Sequence, residues 1–339
     1  MKNILKITAF IAGVAIITAL LDFPFRGGYW VSRGYVADRD AKIAGIQNEP
    51  EGQIDVLNVG DSLAGIAITP VEMYRDYGIT SYVMNRDLQM TIESYYAIKL
   101  ALRTQDIKVV LYEVHNLVKR QEFWDRYNIG ISEYSKYRSQ FIKYHYLWKK
   151  LIEGKGIRKY FKGYVVNEAV VPCDVPVPYL NPNAKDVFTL PKSQMYVFDK
   201  ICDLCRENGI RLVLYSVPSP RCYNMTLHRC YTKMAEEHGL VYLDGNADVE
   251  KIGIDMAHDY CDKGGDHLNL FGTRKMTRYL ADYLSKECGL TDHRGDPAYR
   301  SWSDLEAAYE QEVRDMAGTS YPIIEEELKK SGQKKEDIQ

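Results

Sequence analysis

The sequence predicts an α/β protein, a three-layer sandwich whose mostly parallel central sheet is covered by helices on both faces. Two observations carry the prediction. Short apolar runs rich in Val, Leu and Ile recur along the chain, at 53–59, 81–84, 107–114, 210–217 and 240–245, and continuous apolar runs of that length suit strands buried on both faces. Between them lie longer segments with apolar residues at helical spacing, several closed by Gly or Asn-Gly. Strands that alternate with helices favour parallel pairing, because each crossover helix returns the chain to the same end of the sheet.

The elements follow in order. The chain opens on an uncharged run, Ile7 to Leu21, with Lys2 and Lys6 before it and Asp22 after it. A basic flank and an apolar core mark a signal or anchor segment. The run alone is short, and recruiting Ile4, Leu5, Phe23 and Phe25 brings it to the roughly 20 apolar residues a spanning helix needs. Bulky Leu20, Leu21 and Phe23 stand where a small-residue cleavage site would fall. Residues 1–26 are therefore read as an N-terminal membrane anchor or signal, with a retained anchor favoured over a cleaved signal peptide, the N-terminus cytoplasmic by its lysines and the rest of the chain extracytoplasmic.

The first strand, "QIDVLNV", runs into Gly60, and a second, "SYVM", follows the turn at Tyr77-Gly78. A helix over 91–105 and the valine-rich strand "IKVVLYEV" come next. Residues 120–190 are rich in Tyr, Lys and Trp without a clean period; they read as a largely helical insertion that ends in the loop "VPCDVPVPYLNPN", which no helix interior tolerates. Alternation resumes with a helix over 192–208, the strand "IRLVLYSV", a helix over 224–238, the strand "LVYLDG" and an amphipathic helix over 271–287. The principal domain thus spans 27–290. Residues 291–339 form a charged helical tail, with Ser303 as the predicted N-cap and "EEELKKSGQKKEDIQ" as a solvated, frayed end.

Composition removes some function classes. A formal charge of -2 without a concentrated basic face argues against nucleic acid as a partner, and no Gly-rich loop follows any strand to cradle a nucleotide's phosphates. Tyrosine is frequent, at 27 residues, and its amphipathic ring suits sugar-binding grooves and membrane interfaces as well as cores. Seven cysteines leave at least one unpaired in any compartment. Cys202 and Cys205 lie in a helical pattern with no second pair, so they read as one buried helix face rather than a redox or zinc pair. A Cys222–Cys230 disulfide stays open. The histidines at 145, 228, 238, 258 and 293 show no metal-ligand spacing.

The chemistry concentrates in two segments. "VGDSLAG" puts Ser62 directly after the first strand and where a helix is expected to begin, a place where backbone N–H groups can hold an oxyanion. "DYCDKGGDHLNLFG", residues 259–272, sets His267 beside Asp266 and five residues after Asp262, just before the last helix. A serine nucleophile needs a base, and that base needs an acid to fix its tautomer. Both segments fall at carboxyl-end loops of the sheet, where α/β proteins bind ligands.

"VGDSLAG" and "DHLNLFG" together resemble the first and last blocks of the SGNH/GDSL family of esterases and acyltransferases, over roughly residues 50–290. The likeness is closest to membrane-anchored extracytoplasmic members of the D-alanyl transfer and alginate-acetylation type. It implies a flavodoxin-like sandwich, with Ser62 as nucleophile and His267 as base. The family usually adds a glycine and an asparagine to the oxyanion hole. Here "MNRDLQ" after the second strand offers Asn85 and Gln89 but no glycine, and "EVHN" after the third offers Asn116. The family's acid commonly stands three residues before the histidine, where this chain has Gly264, so Asp266 and Asp262 both remain candidates. His115 is a substrate-binding or packing residue, and Glu113 could orient the site from its strand end.

The resemblance implies serine-dependent O-acyl transfer or ester hydrolysis on a cell-envelope glycan or related polymer. No metal or organic cofactor is called for. The expected partners are an acyl donor, the glycan or polymer, the membrane through the N-terminal helix, and a membrane-bound O-acyltransferase. The alternative is an SGNH-like scaffold without turnover that binds glycan or such an acyltransferase.

Overall fold

The computed structural model describes residues 2–22, 38–120, 123–144 and 160–331. Helix α1, Lys2–Asp22, buries none of its residues and is long and apolar enough to cross a membrane. Its 21 residues include Ile4 and Leu5, so the apolar run is longer than residues 7–21 alone suggest. Helix α2, Asp38–Gly45, leads into the sheet domain.

The sheet has five parallel strands: β1 Val56–Gly60, β2 Ser81–Asn85, β3 Val109–Glu113, β4 Arg211–Ser216 and β5 Val241–Asp244, in the order β2-β1-β3-β4-β5. Alternate side chains leave opposite faces of a strand, and here both faces are apolar. Leu57, Val59, Tyr82, Met84, Val110, Tyr112, Leu212 and Leu214 belong to one core; Val56, Val83, Val109, Leu111, Val213 and Tyr215 belong to the other. This is why the strands read as continuous apolar runs.

The first core is covered by α2, by α4 (Thr91–Ala101), by α7 (Lys192–Glu207) and by α8 (Met225–His238), through residues such as Ile43, Ile98, Phe198, Ile201 and Tyr231. The second is covered by α3 (Pro70–Tyr77) and α10 (Leu270–Glu287), through Val71, Met276, Leu280 and Leu284. A short α9, Val249–Ile252, precedes α10, and α11, Arg300–Ser331, closes the chain. The predicted strands and helices therefore stand, with no end displaced by more than four residues. Cys205 is buried in the first core with Cys202 packed against it, as one helix face predicts, and all seven cysteines are free thiols.

Several expectations are corrected. No α-helix begins at Ser62: a 3-10 turn, Ala64–Ile66, follows it, and α3 starts only at Pro70. The insertion is helical in α5, Phe123–Arg138, and α6, Gln140–Tyr144, whereas 165–190 run without helix or strand; residues 145–159 lie outside the described residues. Ser303 is not an N-cap. The chain enters α11 through a 3-10 turn, Pro297–Tyr299, where Asp296 accepts from the Ala298 N–H, so Ser303 is already inside the helix. The C-terminal helix also contributes to the core: Trp302 and Tyr309 are fully buried, Trp302 stacks on Tyr74 with ring centroids 5.3 Å apart, and the Tyr309 hydroxyl donates to Glu72 at 2.9 Å. Its backbone stays helical to Ser331, past the point where a frayed run was expected.

Candidate active site

The strand order reverses at β1, which pairs with β2 on one side and β3 on the other. In open parallel sheets this switch point opens a crevice at the carboxyl ends of the strands. Ser62 stands at that point, two residues beyond the end of β1.

Side-chain to backbone hydrogen bonds bring the distant histidine loop to the serine. In the first turns of α10, Thr273 donates to the Ile66 carbonyl at 2.7 Å, and Thr277 accepts from the Thr69 N–H at 2.9 Å. Asn269 caps α10 by accepting from the Phe271 and Gly272 N–H groups, while its amide donates to the carbonyls of His258 and Tyr260. The loop between closes on itself through the Tyr260–Leu268 bridge and a bond from the Cys261 N–H to the His267 carbonyl at 3.1 Å. As a result His267 Nε2 lies 2.9 Å from Ser62 Oγ, across 205 positions of sequence.

The two aspartates differ in place. The Asp262 carboxylate accepts the backbone N–H groups of Gly264, Asp266 and His267 at 2.9–3.1 Å, so it organises the loop and does not reach round to the imidazole. Asp266 Oδ2 lies 3.4 Å from His267 Nδ1, at ion-pair distance and longer than a hydrogen bond. Its Oδ1 accepts from the Cys222 thiol at 2.8 Å. Burial pushes that thiol up to about 12, with the Asp266 carboxylate adding to the effect, which keeps it a protonated donor.

The three amide side chains separate in the same way. Asn85 ends β2 and borders the serine: its Oδ1 accepts from Lys42 Nζ at 2.7 Å, and its Nδ2 packs over Gly65. A Cβ at position 65 would come within 2.6 Å of that Nδ2, so this close approach requires glycine. The structure does not bring Asn116 to the serine. The residue after β3 enters a 3-10 turn, Val114–Val118, and its amide, wholly buried, accepts from Tyr112 at 2.8 Å and donates to Ser94 at 3.2 Å. Gln89 is likewise buried, donating to Ser94 at 3.0 Å. Neither lines the cleft, so the oxyanion assignments of Asn116 and Gln89 are corrected. Among the described residues, no protein acceptor takes the Ser62 N–H.

Ser62, His267, Asn85 and Lys42 share a cleft of about 550 Å³, whose far wall is residues 165–168 and whose rim includes Glu312 and Met316 of α11. Its borders mix the charged side chains of Lys42, Asp87, Glu168 and Glu312 with the apolar Ile66, Val165, Val166 and Met316.

Beneath the serine lies an ionic cluster that the sequence did not announce. Asp61, 1% exposed, accepts from His115 Nδ1 and from Lys119 Nζ, each at 2.8 Å, and from the Leu63 N–H at 3.1 Å. Burial alone would raise its carboxyl, but the hydrogen bonds and charges of His115 and Lys119 outweigh it and hold the group at about 2. Glu113 moves the other way: burial and then the charge of Asp61 push it well above its usual range. Asp61, Glu113 and His115 stand close enough to share a cation, yet the Lys119 ammonium already occupies the cationic place. His115 thus packs against Asp61.

Lys42, Cys222 and Asp61 are the functional neighbours that sequence reasoning passed over. Only Asp61, inside "GDS", carried any signal. No protein-family model matches the chain, and a search of curated proteins found no match.

Proposed function

We propose that the chain is a membrane-anchored, extracytoplasmic, serine-dependent enzyme that transfers or hydrolyses an O-acyl group on a cell-envelope glycan or related polymer. One observation carries the reading: the 2.9 Å contact between Ser62 Oγ and His267 Nε2 in a polar cleft at the switch point of a parallel sheet. Turns rich in Gly, Asp and Ser are common, but a serine and an imidazole joined at hydrogen-bond distance at such a place form a nucleophile and its base.

In this mechanism Ser62 Oγ attacks the acyl carbonyl while its proton passes to His267 Nε2. The Asp266 carboxylate, held by the Cys222 thiol, stabilises the imidazolium on its Nδ1 side. The Ser62 N–H and Asn85 Nδ2 supply the donors for the oxyanion. Collapse expels the alcohol leaving group, which takes the proton from His267. A sugar hydroxyl or water then gives its proton to His267 and attacks the acyl-serine, and Ser62 recovers its proton as the new ester or free acid departs. The anchor α1 keeps the serine close to an acyl donor delivered at the membrane, which favours transfer and a membrane-bound O-acyltransferase as partner.

A fluorophosphonate ester probe tests the reading on the full chain. Wild type should label stoichiometrically at Ser62, and Ser62→Ala should not label at all. Labelling that survives Ser62→Ala overturns Ser62 as the nucleophile; none in folded wild type overturns the enzyme and favours a binding scaffold without turnover, a reading to which the long Asp266–His267 separation lends weight.

A further inference from the structure

Every polar atom of Asp266 except one carboxylate oxygen is held by a hydrogen bond. Its N–H donates to Asp262 at 3.1 Å, its carbonyl accepts from the Ser219 hydroxyl at 2.9 Å, and its Oδ1 accepts from the Cys222 thiol at 2.8 Å. What remains is Oδ2, which faces His267 Nδ1. Side chains of adjacent residues point apart along an extended chain, so an acid directly before its histidine needs a hold from outside to turn one oxygen back to the ring. Ser219 and Cys222 supply it from the loop that follows β4.

That loop is built into the core. Asn246, 2% exposed, accepts from the Ser219 N–H at 2.8 Å and donates to the Ser216 hydroxyl at 3.0 Å and the Val217 carbonyl at 2.9 Å. The Tyr179 hydroxyl donates to the same Asn246 oxygen at 2.7 Å, so every hydrogen-bonding direction of the amide is spent on holding the loop. Ser219 is wholly buried, and the Cys222 N–H returns to the Ser219 carbonyl at 3.0 Å. Between them Pro220 packs on the turn at Gly265, where a Cβ would come within 3.0 Å of the proline Cδ. Cys222 packs against the second core and Cys230 against the first, and both are free thiols, so Cys222 keeps the proton it donates.

We infer that Ser219 and Cys222 are the positioning residues of the triad's acid: the loop after β4 holds the carbonyl and one carboxylate oxygen of Asp266, and so aims the other oxygen at His267. This rests on the reading of Ser62 and His267 as nucleophile and base. It goes beyond that reading in naming what turns an acid beside the histidine toward the ring. A thiol is a weak donor, and a weak hold lets Oδ2 close the 3.4 Å separation from Nδ1 as the imidazolium forms.

The test follows the rate of fluorophosphonate labelling of the full chain across the pH range in which an imidazole titrates, with the unfolding midpoint of each variant measured beside it. Cys222→Ala should slow labelling several-fold and move its pH midpoint down, since an imidazolium with less carboxylate beside it gives up its proton more readily. Cys222→Ser restores a donor and should recover most of the rate and the pH midpoint. On an Asp266→Ala background Cys222→Ala should cost nothing further, because partners in one interaction are not additive. The inference is overturned, with the serine–histidine reading left standing, by a Cys222→Ala variant that matches wild type in rate and pH midpoint, by a folded Cys222→Ser variant as slow as Cys222→Ala, or by a full further loss on the Asp266→Ala background. No labelling of folded wild type overturns both.

Discussion

Replacing Asp61 by Asn tests whether the serine turn rests on a buried charge. The wild-type carboxylate is held at about 2, against an ordinary 3.8. A carboxyl depressed by folding contributes stability that is fully present above its unfolded value and lost as pH falls through its folded value. Here that window runs from just above 3.8 down to 2, and the gap corresponds to about 2 kcal/mol at neutral pH, roughly half of it gone by about pH 3. Asn keeps the shape and loses the charge, which leaves the Lys119 ammonium, only 16% exposed, without its counterion. Stranding a buried partner adds to the cost, so Asp61→Asn should lose about 2–4 kcal/mol at pH 7. Urea unfolding of the full chain in detergent micelles, followed by circular dichroism from pH 3 to 8, measures the difference, which should narrow as pH falls. Glu113→Gln is the control of opposite sign: a carboxyl raised by folding contributes stability below its ordinary 4.5 that is lost as pH climbs toward its folded value. The neutral amide should therefore flatten the decline of stability above pH 5. A difference between Asp61→Asn and wild type that is under about 0.5 kcal/mol at pH 7, within the range of ordinary surface substitutions, or that stays constant down to pH 3, would refute the reasoning.

The two loop aspartates should separate by readout. Asp262→Ala removes the acceptor of three backbone N–H groups and should lower the unfolding midpoint along with the rate, by about 1–3 kcal/mol of stability; Asp266→Asn should leave the midpoint unchanged and slow fluorophosphonate labelling at least about tenfold, and equal midpoints for the two variants would contradict this division. Lys42→Met frees the Asn85 amide to rotate away from the serine, so ester hydrolysis should lose part of the roughly 10²–10³-fold that one oxyanion donor supplies. That loss should fall in kcat with KM little changed, and Asn85→Ala should add nothing further to it; fully additive losses would show that Lys42 acts elsewhere.

How much of this was legible follows from which forces write a pattern into sequence. Burial on both sheet faces forces continuous apolar runs, so Val109–Glu113 and Arg211–Ser216 were visible as strands, and their alternation with helices fixed the parallel order. The Ser62–His267 pairing was visible for a related reason, because each residue sits where a strand end or helix start is marked. Loop interiors have no such period. Whether Asp262 or Asp266 meets the imidazole depends on a backbone that turns at Gly265, where φ is +64°, and two carboxylates four residues apart read alike until that turn is known. Asn116 misleads for a related reason: a single 3-10 turn after β3 rotates it from the cleft edge into the core, to be satisfied by Tyr112 and Ser94. Lys42 is the extreme case. It lies in an ordinary charged stretch, and it reaches Asn85 only because Ile43 and Ile46 bury α2 and the turn after it against the sheet edge, while the Tyr82 hydroxyl bonds the Lys42 carbonyl at 3.0 Å. Apolar contacts that do leave a pattern thus set in place a polar contact that leaves none, and the site's orienting groups follow from the fold rather than from any motif.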